Sequence, residues 1–192
     1  MSLLGTLGTY RIMNGATPII RNLTEAASQS FKAGHPVILT SNKVAIATTA
    51  GALVDIVQSG TTFNSTNYDN ANMTATTVVG IALDDATGVT DAPCRVLICT
   101  EDVELLANIV HKTVASGVTA TTQIGQTLGL MLGTFTTTTA DAAGETYTAK
   151  RTLAAAFDTT GDFVITEVPK SGVLFGQVWG KIVSGSRGPL AS

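Results

Sequence analysis

Phe31-Lys32-Ala33-Gly34-His35-Pro36-Val37-Ile38-Leu39-Thr40-Ser41-Asn42-Lys43-Val44-Ala45-Ile46-Ala47-Thr48 is the stretch that decides the fold. Val37 to Thr40 is a short apolar run, Ser41-Asn42 has the chemistry of a two-residue connection, and Lys43 to Thr48 returns. Two such runs joined by two turn-forming residues read as a β-hairpin. Pro36 fits at the head of the first strand, because its missing N–H falls at the end of the ladder. The same texture continues to Val183. Threonine supplies roughly a sixth of all residues, and β-branched side chains pack well on a pleated surface while losing rotamer freedom in a helix.

Outward from the hairpin, further strands are expected at Leu53 to Gln58, Thr76 to Leu83, Cys94 to Thr100 and Val103 to Val110. An amide-rich stretch, Ser59 to Asn72, reads as an exposed loop, and Asp84 to Gly88 as a turn. Between Thr113 and Thr139, Gly117, Gly125, Gly129 and Gly133 recur among Thr and Leu, a spacing that suits bends at barrel corners better than a helix. Lys150 to Phe157 is a strand or a short helix, and Phe163 to Val168 and Val173 to Val183 are strands. Asn22 to Lys32 allows a turn or two of helix after an Asn or Thr cap. Residues 1–22 mix Leu, Gly, Thr and Ile without a clean period, as in an extended arm. An arm carrying Leu3, Leu4, Leu7, Tyr10, Arg11 and Ile12 is too apolar to float, so it lies on its own domain or reaches a neighbour. The expected organisation is an arm (1–22), a β-barrel-like domain (23–112), a second β-subdomain or elaboration of the barrel (113–183) and a tail (184–192). The expected class is all-β, a small barrel or sandwich of β-tulip or jelly-roll type.

The chain has 192 residues, of which 44% are hydrophobic, 5% aromatic and 13% charged. A single chain of this size hides roughly 70% of its unfolded surface, enough for a core without metal or disulfide staples. Its charged fraction is about half that of an ordinary soluble domain, which favours a surface partly covered by a partner. A net charge of −3 and a pI near 5.2, with eleven scattered Lys and Arg, argue against nucleic-acid binding. No apolar run reaches the roughly 18 residues of a membrane helix, and the N-terminus lacks the charged and apolar regions of a secretory signal. Cys94 and Cys99 are an odd number of residues apart in one strand, hence on opposite faces, and cannot bridge each other.

Catalytic chemistry is not concentrated anywhere. His35 sits in a turn and His111 beside Lys112; neither lies in a nucleophile motif such as Gly-x-Ser-x-Gly. Two His and two Cys without ligand spacing make no zinc site, and no phosphate-binding Gly motif occurs. Asp84, Asp85 and Asp91 around one turn and Glu101, Asp102 and Glu104 at another are oxygen-rich enough for a hard cation, but read first as solvated turns. The expectation is a non-enzymatic protein with no cofactor.

Phe31 to Val37, then Val78-Val79-Gly80-Ile81-Ala82-Leu83, then Arg95-Val96-Leu97-Ile98 resemble three short motifs of capsid decoration proteins of tailed bacteriophages, also called cement or head-stabilising proteins. The resemblance covers roughly residues 31–100. It implies a small β-barrel and a structural protein that coats the exterior of the virion, binds the major capsid protein, assembles as a homotrimer or homodimer, and is made in the host bacterial cytoplasm. It also implies a role for Leu3 to Ile12 in reaching a neighbouring subunit or the capsid floor. A head-fibre or tail component and a glycan- or ligand-binding β-barrel are the alternatives. Finally, Val78-Val79-Gly80-Ile81-Ala82-Leu83 is echoed by Leu174-Phe175-Gly176-Gln177-Val178-Trp179, which two similar strands or a duplicated half would both explain.

Overall fold

The structure, a computed structural model, describes residues 10–46, 54–59, 62–63, 78–110, 117–137, 150–156, 163–173 and 176–182. It is all-β. Thirteen strands are described: β1 (Tyr10–Ile12), β2 (Ile20–Thr24), β3 (Pro36–Thr40), β4 (Lys43–Ile46), β5 (Val54–Ser59), β6 (Thr62–Phe63), β7 (Val78–Ala82), β8 (Pro93–Ile98), β9 (Val103–Val110), β10 (Thr127–Thr137), β11 (Lys150–Ala156), β12 (Phe163–Glu167) and β13 (Gln177–Ile182). The one helical element among the described residues is a 3-10 turn over Thr121–Gln123. Lys150 to Ala156 is therefore strand, and Asn22 to Lys32 is strand and turn instead of helix. The tertiary pairing of Leu23 with Cys94 outweighs the local capping signal.

The hairpin is as its sequence demands. Thr40 pairs with Lys43, and Ser41 (φ 50) and Asn42 (φ 62) both take left-handed backbone, the signature of the I′ turn whose twist matches the flanking strands. It forms one end of a five-stranded antiparallel sheet in the order β2-β8-β7-β3-β4. The two ends of that sheet approach each other. Glu25, just past β2, makes a parallel bridge to Val44 of β4, and the Ala26 N–H donates to the Val44 carbonyl at 2.9 Å.

The other sheet has the order β1-β9-β13-β12-β10-β5-β6, with β11 pairing both β10 and β9. Five of its strands, β9 to β13, repeat the pairing scheme of the first sheet. In each set the first strand in the chain pairs with the fifth, the fifth with the fourth, the fourth with the second and the second with the third, all antiparallel, and the third returns to the first in parallel. Register agrees at the paired positions, apart from a bulge at Val37/Ile38 in the first unit and at Ile165/Glu167 in the second. Arg21↔Val96 corresponds to Leu105↔Gly180, Pro36↔Ile81 to Thr127↔Val164, Ile81↔Leu97 to Val164↔Lys181, and Leu39↔Val44 to Leu130↔Ala155. The parallel contact corresponds too, Glu25↔Val44 to Ile109↔Ala155.

The turns entering β3 and β10 are alike to the hydrogen bond. Gly34 N–H donates to the Ala82 carbonyl (2.7 Å), Ala82 N–H to His35 (2.9 Å) and His35 N–H to Lys32 (2.9 Å). Likewise Gly125 donates to Ile165 (2.8 Å), Ile165 to Gln126 (3.1 Å) and Gln126 to Gln123 (3.0 Å). Both glycines hold positive φ, 91° and 85°. Side chains follow the same scheme in the core, where Val37, Ala82, Cys94 and Ile98 correspond to Leu128, Ile165, Val178 and Ile182, all buried. The chain is thus two copies of one five-stranded unit. The units share a core in which Val78, Ile81, Leu97 and Cys99 of the first pack with Leu105, Phe163 and Val178 of the second.

The equivalence matches Gly80 with Phe163, so the echo between Val78–Leu83 and Leu174–Trp179 is not its trace. Of the glycines expected at bends, Gly129 and Gly133 lie inside β10, which changes its edge partner from β12 to β5 along its length. The sheets part between β8 and β9, and β5 and β6 join the larger one.

Because a Cβ at Gly125 would meet nothing within 4 Å, Gly125→Ala isolates the cost of left-handed backbone, about 1–2 kcal/mol. Gly34→Ala is expected to lose at least as much in urea unfolding, and the double substitution the sum, since the two turns share no partner.

Candidate functional site

Two clusters occupy equivalent places on the two units. On the second, β1 adds antiparallel to the edge of β9, with Tyr10, Arg11 and Ile12 opposite Leu105, Glu104 and Val103. Arg11 is the anchor. Its Nε donates to Glu104 Oε2 at 2.7 Å, its Nη2 donates to Glu167 Oε2 at 2.6 Å, and its guanidinium stacks 4.4 Å from the Trp179 ring centroid. The Glu104 side chain is almost fully enclosed, so Arg11 partners a carboxylate largely withdrawn from water. The Met13 amide continues the attachment by donating to the Asp102 carbonyl (2.7 Å), and Asn14 Nδ2 donates to the Asp102 side chain (3.0 Å). Of the six residues expected to form a contact arm, Tyr10, Arg11 and Ile12 therefore lie on their own chain, while Leu3, Leu4 and Leu7 fall outside the described residues.

On the first unit, the counterparts of Trp179 and Glu104 are Arg95 and Ile20. Arg95 Nη2 donates to Asp84 Oδ1 (2.6 Å), and both its Nε and its amide donate to Asp84 Oδ2 (3.0 and 2.9 Å). Those bonds, the side-chain one foremost, hold the Asp84 carboxyl below its usual range. The acid at the end of the fourth strand thus finds its cation within this unit, whereas in the second unit the cation arrives on β1.

The loop from Asp84 to Ala92 is built around a buried acid that sequence reasoning missed. Glu25 is fully enclosed, and its carboxylate accepts the Thr87 N–H (3.0 Å), the Gly88 N–H (3.1 Å) and the Thr87 hydroxyl (3.2 Å). Its backbone pairs with the same loop, donating to Ala92 and accepting from Asp91. Nothing in a polar run such as Asn22 to Gln29 distinguishes an enclosed Glu from a solvated one. The second unit closes the same gap without charge, through Thr119 and Val173, whose backbone and hydroxyl bonds join the equivalent loops.

The carboxylates singled out as possible cation ligands are separately engaged. Asp84 holds Arg95, Asp85 holds Lys32 (2.9 Å) and the Ala33 N–H (2.9 Å), and Asp91 holds Lys43 (2.8 Å). Glu104 holds Arg11 and Asp102 holds Asn14. Among the described residues no group of three or more His, Cys, Asp or Glu is placed to share an ion. His35 is buried in the turn before β3, and His111 lies outside the described residues. Cys94 and Cys99 are free thiols, buried in different clusters on the two faces of β8. Among the described residues no helix is long and apolar enough to cross a membrane.

The residues that carry the family resemblance come together. Pro36-Val37 on β3, Val78 to Ala82 on β7 and Arg95 to Ile98 on β8 are three adjacent strands of one sheet, and Lys32 to His35 are the turn pinned to β7. Gly80 is required there: a Cβ would overlap the Leu97 carbonyl oxygen and meet Val96 Cγ1 at 2.8 Å. No protein-family model matches the chain, and no curated protein matches it.

Replacing Arg11 by Met keeps its apolar reach but strands Glu104. A loss of about 3 kcal/mol in urea unfolding is expected, partly restored in the double variant Arg11→Met, Glu104→Gln. Burial, then the nearby Asp84 and Glu25 charges, push the Cys94 thiol up from 9.0 to about 11. Above pH 9 the unfolded chain gives up this proton and the folded chain keeps it, so stability falls between about pH 9 and 11. Cys94→Ala is expected to flatten that part of the stability–pH curve.

Proposed function

We propose that this chain is a structural virion protein that binds the outer surface of a bacteriophage capsid and fastens neighbouring subunits of the major capsid protein. The observation that carries the reading is the convergence of the resembling segments. Three short motifs far apart in sequence form one contiguous turn and three neighbouring strands, and the two glycines within them, Gly34 and Gly80, are each demanded by the backbone. The doubled unit supports it further. A cement protein works by many modest contacts repeated over a lattice, and a chain with two similar units offers two similarly shaped faces per molecule. The low charge and abundant small and hydroxylated residues suit extended contact with protein. The protein has no catalytic role in this reading, and it acts as a homotrimer or homodimer seated on the capsid exterior.

Quantitative mass spectrometry of purified particles from the source tests the reading. A copy number near that of the major shell protein is expected. A handful of copies per particle would favour a fibre or tail component, and absence from particles would overturn the virion assignment.

A further inference from the structure

The two units differ at one edge, and the difference exposes apolar surface. On the second unit the opening of the first strand is covered: Val103, Glu104 and Leu105 pair with β1, and Val103 and Glu104 are 2% and 5% exposed. The equivalent residues of the first unit are Ile19, Ile20 and Arg21. Among the described residues no strand pairs with this edge, and Ile19 and Ile20 are 41% and 50% exposed. Their other side is fully committed, with Ile20 opposite Leu97 and the Ile98 amide donating to Ile19 at 2.9 Å. The edge is therefore formed, backed by β8 and, among the described residues, unpaired at the place where its twin carries an added strand.

We infer that Ile19–Arg21 is a strand-docking edge that receives an extended segment of another polypeptide, antiparallel, in the place β1 takes on the second unit. Side-chain chemistry fixes the kind of segment. Directly opposed residues on neighbouring strands share a face and contact each other. The β1 strand brings Arg11 opposite Glu104 and beside Glu167 and Trp179. At the first unit the positions of Glu104 and Trp179 are taken by Ile20 and Arg95, and the nearby Asp84 is already neutralised by Arg95. A cation opposite Ile20 would have no carboxylate to meet and would approach the Arg95 guanidinium. The segment therefore carries an apolar residue opposite Ile20, another opposite Ile19, and an acid opposite Arg21, which is exposed and has no ion-pair partner among the described residues. A second copy of β1, with its arginine in the central position, is the wrong occupant. Main-chain bonding supplies the affinity of such an added strand and the side chains its selectivity. This inference does not depend on the capsid reading.

The test is a titration of the full-length, isotope-labelled protein with three blocked peptides, followed by amide chemical shifts. The first has the core Thr-Glu-Ile-Ile-Thr, running antiparallel so that Glu faces Arg21. The second replaces that Glu by Lys, and the third is the chain's own Thr9 to Met13 sequence. Saturable shifts centred on Ile19 to Asn22 are expected with the first peptide, with binding about fivefold tighter than that of the Lys peptide, the scale of one exposed charge contact. The surface variant Arg21→Glu is expected to reverse that preference. The inference is overturned if none of the peptides perturbs this edge at millimolar concentration, if the Glu and Lys peptides bind alike, or if the β1 peptide binds as tightly as the first.

Discussion

The constraint on which the rest of the molecule depends is the pair of backbone hydrogen bonds that fastens a left-handed glycine to the fourth strand of its unit. Gly34 with Ala82, and Gly125 with Ile165, set where the second strand begins. Side chains alternate across a strand, so a slip of one residue there would turn every core residue of β3 or β10 outward. Once that start is fixed, the hairpin or long connection that follows places the third strand, the third meets the first in parallel, and the edges of the five-strand set are drawn together. A glycine is needed because the turn requires positive φ, which a side chain makes costly.

The same backbone scheme holds two different interiors. In the first unit Gly80 lies flat against β8 and Val96 supplies the bulk. In the second, Phe163 supplies the bulk at the position of Gly80, and Gly180, at the position of Val96, makes room for its ring; a Cβ at Gly180 would come within 2.5 Å of Phe163 Cζ. Volume has moved from one strand to its neighbour while the pair still fits, as close packing requires. The fully enclosed Glu25 stands where the second unit has the apolar Ile109. An acidic side chain is tolerable there because the loop after β7 offers its amides and a hydroxyl in return.

These exchanges explain what was and was not legible in the chain. The all-β class was legible from composition and from the hairpin, whose Ser41-Asn42 turn follows from residue chemistry alone, and the placement of the two cysteines on opposite faces followed from strand parity. The duplication was hidden because register is a property of backbone hydrogen bonds, and substitutions such as Val96 against Gly180 or Glu25 against Ile109 erase it from any residue-by-residue comparison. The one visible echo matched strands that do not correspond. Arg11 was noticed as part of an apolar arm, but its partners Glu104, Glu167 and Trp179 are distant in sequence, so nothing local revealed that its charge is used within the chain.

A duplicated unit need not keep both copies equal, and here the inequality has a direction. There are two equivalent edges, and β1 pairs with that of the second unit, where Glu104, Glu167 and Trp179 hold its arginine. Four residues separate β8 from β9, so no comparable arm precedes the second unit to serve the first. Among the described residues the edge at Ile19–Arg21 therefore has no counterpart of β1. In the first unit Arg95 satisfies Asp84 internally, and Ile20 stands where the second unit has Glu104, so no cation is needed there. What remains is an apolar edge with the exposed Arg21 beside it, unpaired in its backbone among the described residues.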